Sequence, residues 1–118
     1  MEFNQILKMQ IEMDELHGFP VEFASQREKY DQLTKDLVGL VGEIGEFSNI
    51  VKKINIKLDR PDEYDLNVSM AEALLPEELA DGLIYIIRIA AILKIDLQAE
   101  LVKKIQQNVT RYEKLQRE

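Results

Sequence analysis

Apolar residues recur along this chain at intervals of three and four positions, with little to interrupt them. The 118 residues include only five glycines and three prolines, Pro20, Pro61 and Pro76. Intervals of three to four place side chains on one face of an α-helix, whereas a half-buried strand needs alternation. Proline and glycine are also the residues that most often mark breaks and turns. The pattern therefore predicts an all-α fold.

Four helical segments follow from this periodicity. Their predicted limits are Phe3 to Leu16 with an end at Gly18, Ser25 to Leu58 with a break near Thr34 left open, Pro76 to about Lys94, and Asp96 to about Arg117. Ser25 and Glu28 have the spacing of a capping box, and Asp96 is a favoured cap residue. Pro76 suits the first turn of a helix, where its missing N–H is not needed. We expect a four-helix bundle-like single domain over residues 1–118.

Residues 59–75 interrupt this pattern and are strongly acidic. They hold five acids against one base, Arg60. Ser69 and Glu72 again have capping-box spacing, which predicts a short turn of helix through Leu75. The remainder of the segment is predicted to be a surface connector.

The third predicted helix is apolar on nearly every side. Between Leu79 and Leu93, only Asp81, Gly82 and Arg88 are not apolar. A helix of this kind is usually buried all round. In so small a domain, that burial implies a second subunit, so we expect an obligate oligomer with helices packed across the interface.

The amino-acid composition excludes several kinds of metal site and partner. The chain has no cysteine and one histidine, His17, which excludes disulfides, thiolate metal sites and the usual di-iron site with two Glu-x-x-His motifs. We expect His17 to make a helix-end interaction. The net charge of −7 argues against a nucleic-acid partner. No apolar run has the length of a membrane helix, and the N-terminus lacks signal-peptide features. The protein is therefore expected to be cytoplasmic, with no membrane partner.

Two pairs of carboxylates stand on apolar helices. Glu43 and Glu46 are three residues apart in the second helix, as are Glu78 and Asp81 in the third. Residues three apart share a helix face. Like charges among apolar neighbours are costly without a cation, and oxygen ligands favour Mg²⁺, with Mn²⁺ as a substitute. The four acids predict a metal site, and the alternative is that each pair is ordinary solvated surface.

A polar stripe lies on the fourth helix. Lys104, Asn108 and Arg111 are spaced four and three residues apart. Lysine and arginine suit phosphate oxygens, but they also suit the C-terminal end of any helix. Spacing alone leaves both roles open. Asn49, three residues after Glu46, is expected on the same side as Glu46, either in contact with substrate or solvated.

Three motifs follow one another along the chain: Glu43-x-x-Glu46, Glu78-x-x-Asp81 and Lys104-x-x-x-Asn108-x-x-Arg111-Tyr112. They resemble the MazG-like branch of the all-α nucleoside triphosphate pyrophosphohydrolases. The resemblance implies a homodimer or a homotetramer built as a dimer of dimers. It also implies magnesium-dependent cleavage of nucleoside triphosphates to the monophosphate and pyrophosphate, in nucleotide-pool house-cleaning.

The resemblance further implies individual roles. The four acids hold the metal. From these acids we hypothesise that Glu46, or less plausibly Glu43, accepts a proton from the attacking water. Substrate contacts are assigned to Lys104, Asn108, Arg111 and Asn49. One of four aromatic residues is expected to stack on the base: Phe3, Phe23, Tyr30 or Phe47. Two alternatives stay open, a related pyrophosphohydrolase acting on dUTP or phosphoribosyl-ATP and a non-catalytic acidic helical interaction module.

Overall fold

The computed structural model describes residues 1–115, which are helical and contain no strand. The elements are α1 (Phe3–Leu16), α2 (Gln26–Asp59), α3 (Val68–Glu72), α4 (Leu75–Ile92) and α5 (Leu97–Arg111), followed by a 3₁₀ turn (Glu113–Leu115). The all-α prediction is confirmed, with four long helices and one short one. α5 ends at Arg111, and the predicted limit near Arg117 lies outside the described residues.

The predicted helix starts at Ser25 and Asp96 are confirmed by their caps. The Ser25 hydroxyl accepts the N–H of Glu28 at 3.1 Å, and the Asp96 carboxylate accepts the N–H of Ala99 at 3.0 Å. α2 then continues without a break at Thr34, whose hydroxyl donates to a carbonyl one turn earlier at 2.8 Å. Because that bond satisfies the hydroxyl within the helix, Thr34 does not interrupt it.

α1 and α4 are each followed, two residues after their last helical residue, by a residue in the left-handed conformation. Gly18 has a φ of 77° and Lys94 a φ of 58°. The next N–H groups, of Phe19 and Ile95, each return 2.9 Å to a carbonyl in the last turn, which is the Schellman arrangement. The predicted stop at Gly18 is confirmed, while α4 ends two residues before Lys94. The ring Nδ1 of His17 lies 2.8 Å from a carbonyl of the last turn, the predicted helix-end interaction.

The acidic connector is folded onto the end of α2. Lys57 Nζ donates to the carbonyls of Pro61 and Tyr64 at 2.6 and 2.8 Å. The short helix α3 starts from Asn67, whose side chain accepts an N–H at 3.0 Å. The start predicted at Ser69 was therefore wrong, because asparagine is an equally good cap and comes two residues earlier.

The main packing is between α2 and α4, which run antiparallel. From one facing pair to the next, the contacts advance by one or two helical turns along α2 and go back by one or two turns along α4. The facing pairs are Leu33 with Ile92 in the core, Asp36 with Arg88, Gly39 with Tyr85, and Glu46 with Glu78. One stripe of each helix therefore meets the other over nearly four turns, from an apolar end to an acidic end.

A buried ion network joins α1, α2 and α4. Arg88 is 5% exposed, and Asp14 and Asp36 are 3% and 5% exposed. The guanidinium donates to Asp36 at 3.2 and 3.0 Å, to Asp14 at 3.0 Å and to the carbonyl of Pro20 at 3.0 Å. Burial alone would lower the pKa of Arg88, but the hydrogen bonds to Asp36 and Asp14 outweigh it and raise the pKa. The pattern of an apolar helix did not identify this network.

The chain is far more extended than a compact monomer. Its radius of gyration is 18.7 Å, where about 13.5 Å is typical of this length. α5 makes little or no contact with the other helices and leaves its apolar side chains exposed, notably Leu101, Val102, Ile105 and Val109. On α4, Leu79, Leu83 and Ile86 are exposed as well. Within residues 1–115, no helix combines the length and apolarity needed to cross a membrane.

Candidate metal centre

Three carboxylates from two facing helices converge at the acidic end of the α2–α4 pair. Glu43 and Glu46 on α2 and Glu78 on α4 each bring an oxygen to within 4.8 Å of the others. Their convergence follows from the antiparallel register, because the first turns of α4 lie opposite the middle of α2. Oxygens at this separation suit ligation of one hard cation. We call these three residues the carboxylate cluster.

The cluster is not neutralised by a basic side chain. No lysine or arginine in residues 1–115 forms an ion pair with any of its members. One oxygen of Glu43 and one of Glu78, Oε2 in each case, are shielded from solvent and have no hydrogen-bond partner among those residues. A buried oxygen without a donor is costly, and a cation would satisfy both.

The same crowding changes the acidity of Glu78. Hydrogen bonding with Glu46 and then with Glu43, followed by desolvation and charge repulsion, raises the pKa of Glu78 from 4.5 to about 7. Protonation of Glu78 relieves the repulsion among these carboxylates. A divalent cation would replace that proton, so the donor set fits Mg²⁺ or Mn²⁺.

Asp81 lies one turn beyond Glu78 on α4. Its carboxylate is not among the three that converge, but it lines the adjoining cavity together with Glu43. Of the four acids predicted as ligands, the structure therefore brings together three. The role of Asp81 as a ligand stays a prediction.

A polar cavity of about 490 Å³ opens beside Glu43 and Asp81, between α1, α2 and α4. Its floor includes the buried Arg88 network. Other polar and aromatic lining residues are Gln10, Phe19, Gln32, Lys35 and Tyr85. Flat ring surfaces beside carboxamides are the groups that hold a planar, hydrogen-bonding ligand. We call this space the polar cavity.

An apolar groove of about 570 Å³ lies on another side of the same cluster. Glu43 and Glu78 line its acidic end. Its apolar lining includes Leu40, Ile44, Phe47, Leu79, Leu83 and Ile86. Such a surface, exposed in a single chain, is typical of one that another element covers.

The polar stripe of α5 does not reach the cluster within one chain. Lys104 and Arg111 are exposed and Asn108 is half-buried. None of the three lines the polar cavity or the apolar groove. Asn49 on α2 is exposed and also lies outside both. Their predicted contacts with substrate stay predictions.

The aromatic residues near the cluster are mostly not the predicted ones. Phe47 lines the apolar groove, and Phe23 packs against the core. The other three predicted aromatic residues, Phe3, Phe23 and Tyr30, line neither the apolar groove nor the polar cavity. The polar cavity instead contains Phe19 and Tyr85. Tyr85 follows Asp81 by four residues, a helical spacing that could have identified it from sequence.

No family model matches this chain. Curated relatives are nevertheless similar to it: dCTP pyrophosphatase 1 of Rattus norvegicus and that of Homo sapiens are each 30% identical over 102 residues. The dCTP pyrophosphatase 1 of Bos taurus is 31% identical over 105 residues. Each alignment covers 85% of this chain, and the chain spans only 58–59% of the length of these relatives.

Proposed function

Because the chain belongs to the MazG-like all-α nucleoside triphosphate pyrophosphohydrolases, as its similarity to dCTP pyrophosphatases confirms, we propose that it hydrolyses (deoxy)nucleoside triphosphates to the monophosphate and pyrophosphate. The observation that carries the proposal is the convergence of Glu43, Glu46 and Glu78 on facing helices. The names of the relatives make dCTP the first substrate to test. Removal of nucleotides from a cytoplasmic pool is the role that we propose for this activity.

Glu43, Glu46 and Glu78, with Asp81 beside them, would hold Mg²⁺ or its substitute Mn²⁺. The two buried oxygens without a hydrogen-bond partner support this assignment. Bound there, Mg²⁺ supplies charge neutralisation for the triphosphate and lowers the pKa of a water molecule. Without a cation, the negative cluster would repel the substrate.

The proton of the attacking water passes to a carboxylate of the cluster. Glu46 suits this role best because it is exposed, whereas Glu43 is half-buried and has one oxygen shielded from solvent. As the water oxygen bonds to the α-phosphorus, the bond from that phosphorus to the oxygen bridging the α- and β-phosphates breaks, and pyrophosphate departs. General-base catalysis of this kind contributes about 10²–10⁴-fold to the rate.

The nucleoside would occupy the polar cavity. Glu43 and Asp81 line this cavity, so a molecule seated there has its phosphates next to the cluster. Tyr85 and Phe19 offer ring faces for stacking, and Gln32 offers a carboxamide for the edge of the base.

A second copy of the chain would complete the site. The chain exposes 9324 Å², about 2,700 Å² more than the ~6,600 Å² of a compact monomer of its mass. A standard stable interface buries about 1,600 Å² in total. We therefore assign the apolar groove to α5 of a partner subunit, in a homodimer or a dimer of dimers. Lys104, Asn108 and Arg111, which flank the apolar face of that helix, would then face the triphosphate and stabilise the departing pyrophosphate.

The decisive experiment is incubation with each common ribo- and deoxyribonucleoside triphosphate, including dUTP, and with phosphoribosyl-ATP. Magnesium is present, and the products are resolved by ion-exchange chromatography. Nucleoside triphosphates are expected to yield the monophosphate and pyrophosphate, and the Glu46→Gln variant should release neither. Diphosphate and phosphate as products would contradict the proposed cleavage position. No cleavage of any compound would favour a helical interaction module.

A further inference from the structure

Gly39 lies in the middle of α2, directly beneath the ring of Tyr85. A methyl group built on Gly39 would overlap Cε1 and Cζ of Tyr85 and lie 2.7 Å from its hydroxyl oxygen. Carbon contacts this short do not persist in proteins, so a side chain here would force the ring or the helix to move. The outer end of the Tyr85 ring therefore rests on the backbone of α2.

Glycine is unfavourable inside a helix, so its presence calls for a packing reason. At Gly42 and Gly45, further along α2, an added methyl group would meet nothing within 4 Å. Among the glycines of α2, all of which are described, only Gly39 is required by contact with another residue of the same chain. Gly45 therefore offers a matched control in the same helix.

Tyr85 is a wall of the polar cavity and lies on α4 between two functional positions. Asp81 lies one turn before it, beside the carboxylate cluster, and Arg88 lies one turn after it, fixed by the buried carboxylates. The backbone of α2 at Gly39 therefore limits how closely the ring can approach that helix.

We propose that Gly39 is a specificity-determining residue for the nucleoside, because seating Tyr85 against α2 keeps the polar cavity broad enough for a purine base. Gly39 acts through Tyr85 and touches neither the phosphates nor the cluster. A larger residue at this position pushes the ring into the cavity, which penalises a purine more than a pyrimidine. This inference rests on the proposed function, because it assumes that the polar cavity holds the nucleoside.

The test compares Gly39→Ala with Gly45→Ala, using dATP and dCTP as probes of base size. For Gly39→Ala, the KM for dATP is expected to rise about tenfold more than the KM for dCTP, an ordinary penalty for overpacking. The kcat values should change little, because the cluster is untouched. Gly45→Ala should leave both KM values near those of the wild type. Equal losses for the two nucleotides in Gly39→Ala would indicate a purely structural role and overturn the inference.

A second pair of variants keeps the test decisive if Gly39→Ala does not fold. Tyr85→Leu shortens the wall, so the preference should shift towards dATP. Adding Gly39→Ala to Tyr85→Leu should then leave the ratio of kcat/KM for the two nucleotides unchanged, because the two sites no longer interact. An unchanged ratio in Tyr85→Leu alone, or a further shift in the double variant, would overturn the inference.

The wild-type protein separates failure of this inference from failure of the proposed function. If it hydrolyses no nucleotide, the proposed function fails. If it hydrolyses dCTP but dATP is neither cleaved nor inhibitory, the cavity does not admit a purine and only the present inference fails.

Discussion

Arg88 on α4 and Asp36 on α2 are joined by two parallel hydrogen bonds, from Nε to Oδ1 at 3.2 Å and from Nη2 to Oδ2 at 3.0 Å. This fork fixes the register of the two helices. Two turns further along α2 the same register brings Glu43 towards α4, and at the acidic end it places Glu46 opposite Glu78. The geometry of the carboxylate cluster therefore depends on an ion pair outside it.

Arg88→Met is expected to lower the free energy of unfolding by about 3–5 kcal/mol, because Asp14 and Asp36 would stay buried without a counter-charge. Arg88→Lys should recover only part of this loss, since a lysine cannot form the fork. Urea unfolding at a fixed protein concentration measures both. As a control, Arg27→Met removes an exposed pair with Asp31 and should cost less than about 1 kcal/mol. An equally small loss for Arg88→Met would contradict this account.

Replacement of the clustered carboxylates should abolish turnover without unfolding the chain. Glu43→Gln, Glu46→Gln and Glu78→Gln are each expected to lower kcat by at least about 100-fold. Product formation by ion-exchange chromatography measures the rate, and circular dichroism checks the helix content. Glu77→Gln is the matched control, because Glu77 precedes Glu78 but lines neither the polar cavity nor the apolar groove.

Asp81→Asn tests the fourth predicted ligand, whose carboxylate lies outside the cluster. A loss of activity comparable to that of Glu78→Gln is expected if a bound cation draws Asp81 in. The apparent affinity for Mg²⁺, from the dependence of rate on its concentration, should fall as well. Wild-type rates in both Asp81→Asn and Glu46→Gln would show that the proposed site is wrong.

Stability without metal should decrease as the pH rises through about 7, where Glu78 loses its proton. The pKa of Glu78 in the folded chain is above its ordinary value of 4.5. The contribution of Glu78 to stability is therefore complete below pH 4.5, falls as the pH rises, and is lost above a pH of about 7. With EDTA, the melting temperature should therefore be lower at pH 8 than at pH 6. Addition of Mg²⁺ should raise it more at pH 8, because no proton has to be displaced.

Glu78→Gln is the control for this pH dependence. It cannot ionise, so the difference between pH 6 and pH 8 should shrink, and much of the stabilisation by Mg²⁺ should disappear. Differential scanning fluorimetry of both proteins measures these effects. A Mg²⁺ shift of equal size in the wild type at both pH values would contradict the proposed competition between proton and metal.

The apolar face of α5 should be required for assembly. Ile105→Glu places a charge on that face and is expected to yield monomers, because an unpaired charge in an apolar interface is costly. Gln107→Glu adds the same charge on the opposite side of the helix and should leave the oligomer intact. Light scattering coupled to gel filtration measures the mass. A monomeric wild-type protein would contradict the assignment of the apolar groove to a partner subunit.

Mixing two inactive variants tests whether the site is shared between subunits. Glu46→Gln lacks the proposed base, and Arg111→Ala lacks a proposed phosphate contact on α5. If α5 serves the partner, subunit exchange should restore part of the activity. Absence of any recovery, despite exchange shown by mass spectrometry, would place both residues in the same chain's site.

The local elements were largely predictable from sequence. Ser25, Asp96 and Gly18 each act through hydrogen bonds or dihedral angles within a few residues, so their positions in the sequence sufficed to locate helix ends. The one wrong start, at Ser69 instead of Asn67, arose because two good caps compete within three positions.

The contacts between helices were harder to predict from the sequence. Arg88 looked like an interruption in an apolar helix, but it pairs with Asp14, which is 74 residues away in the sequence. Tyr85 could have been placed on the face of Asp81 by spacing, yet its contact with Gly39 could not have been anticipated. Helical periodicity specifies which residues share a face, but not which face of another helix they meet.

The sequence by itself determined that the chain is helical, where most helices begin and end, and that two pairs of acids each occupy one helix face. Only the tertiary structure decided that Glu43, Glu46 and Glu78 converge while Asp81 lines the polar cavity. It also decided that α5 lies away from the carboxylate cluster of its own chain. The physical reason is the sequence separation of the interactions, because helix caps and helical periodicity depend on residues within one or two turns of each other. The register of α2 against α4 is set instead by long-range packing and by the buried Arg88 network.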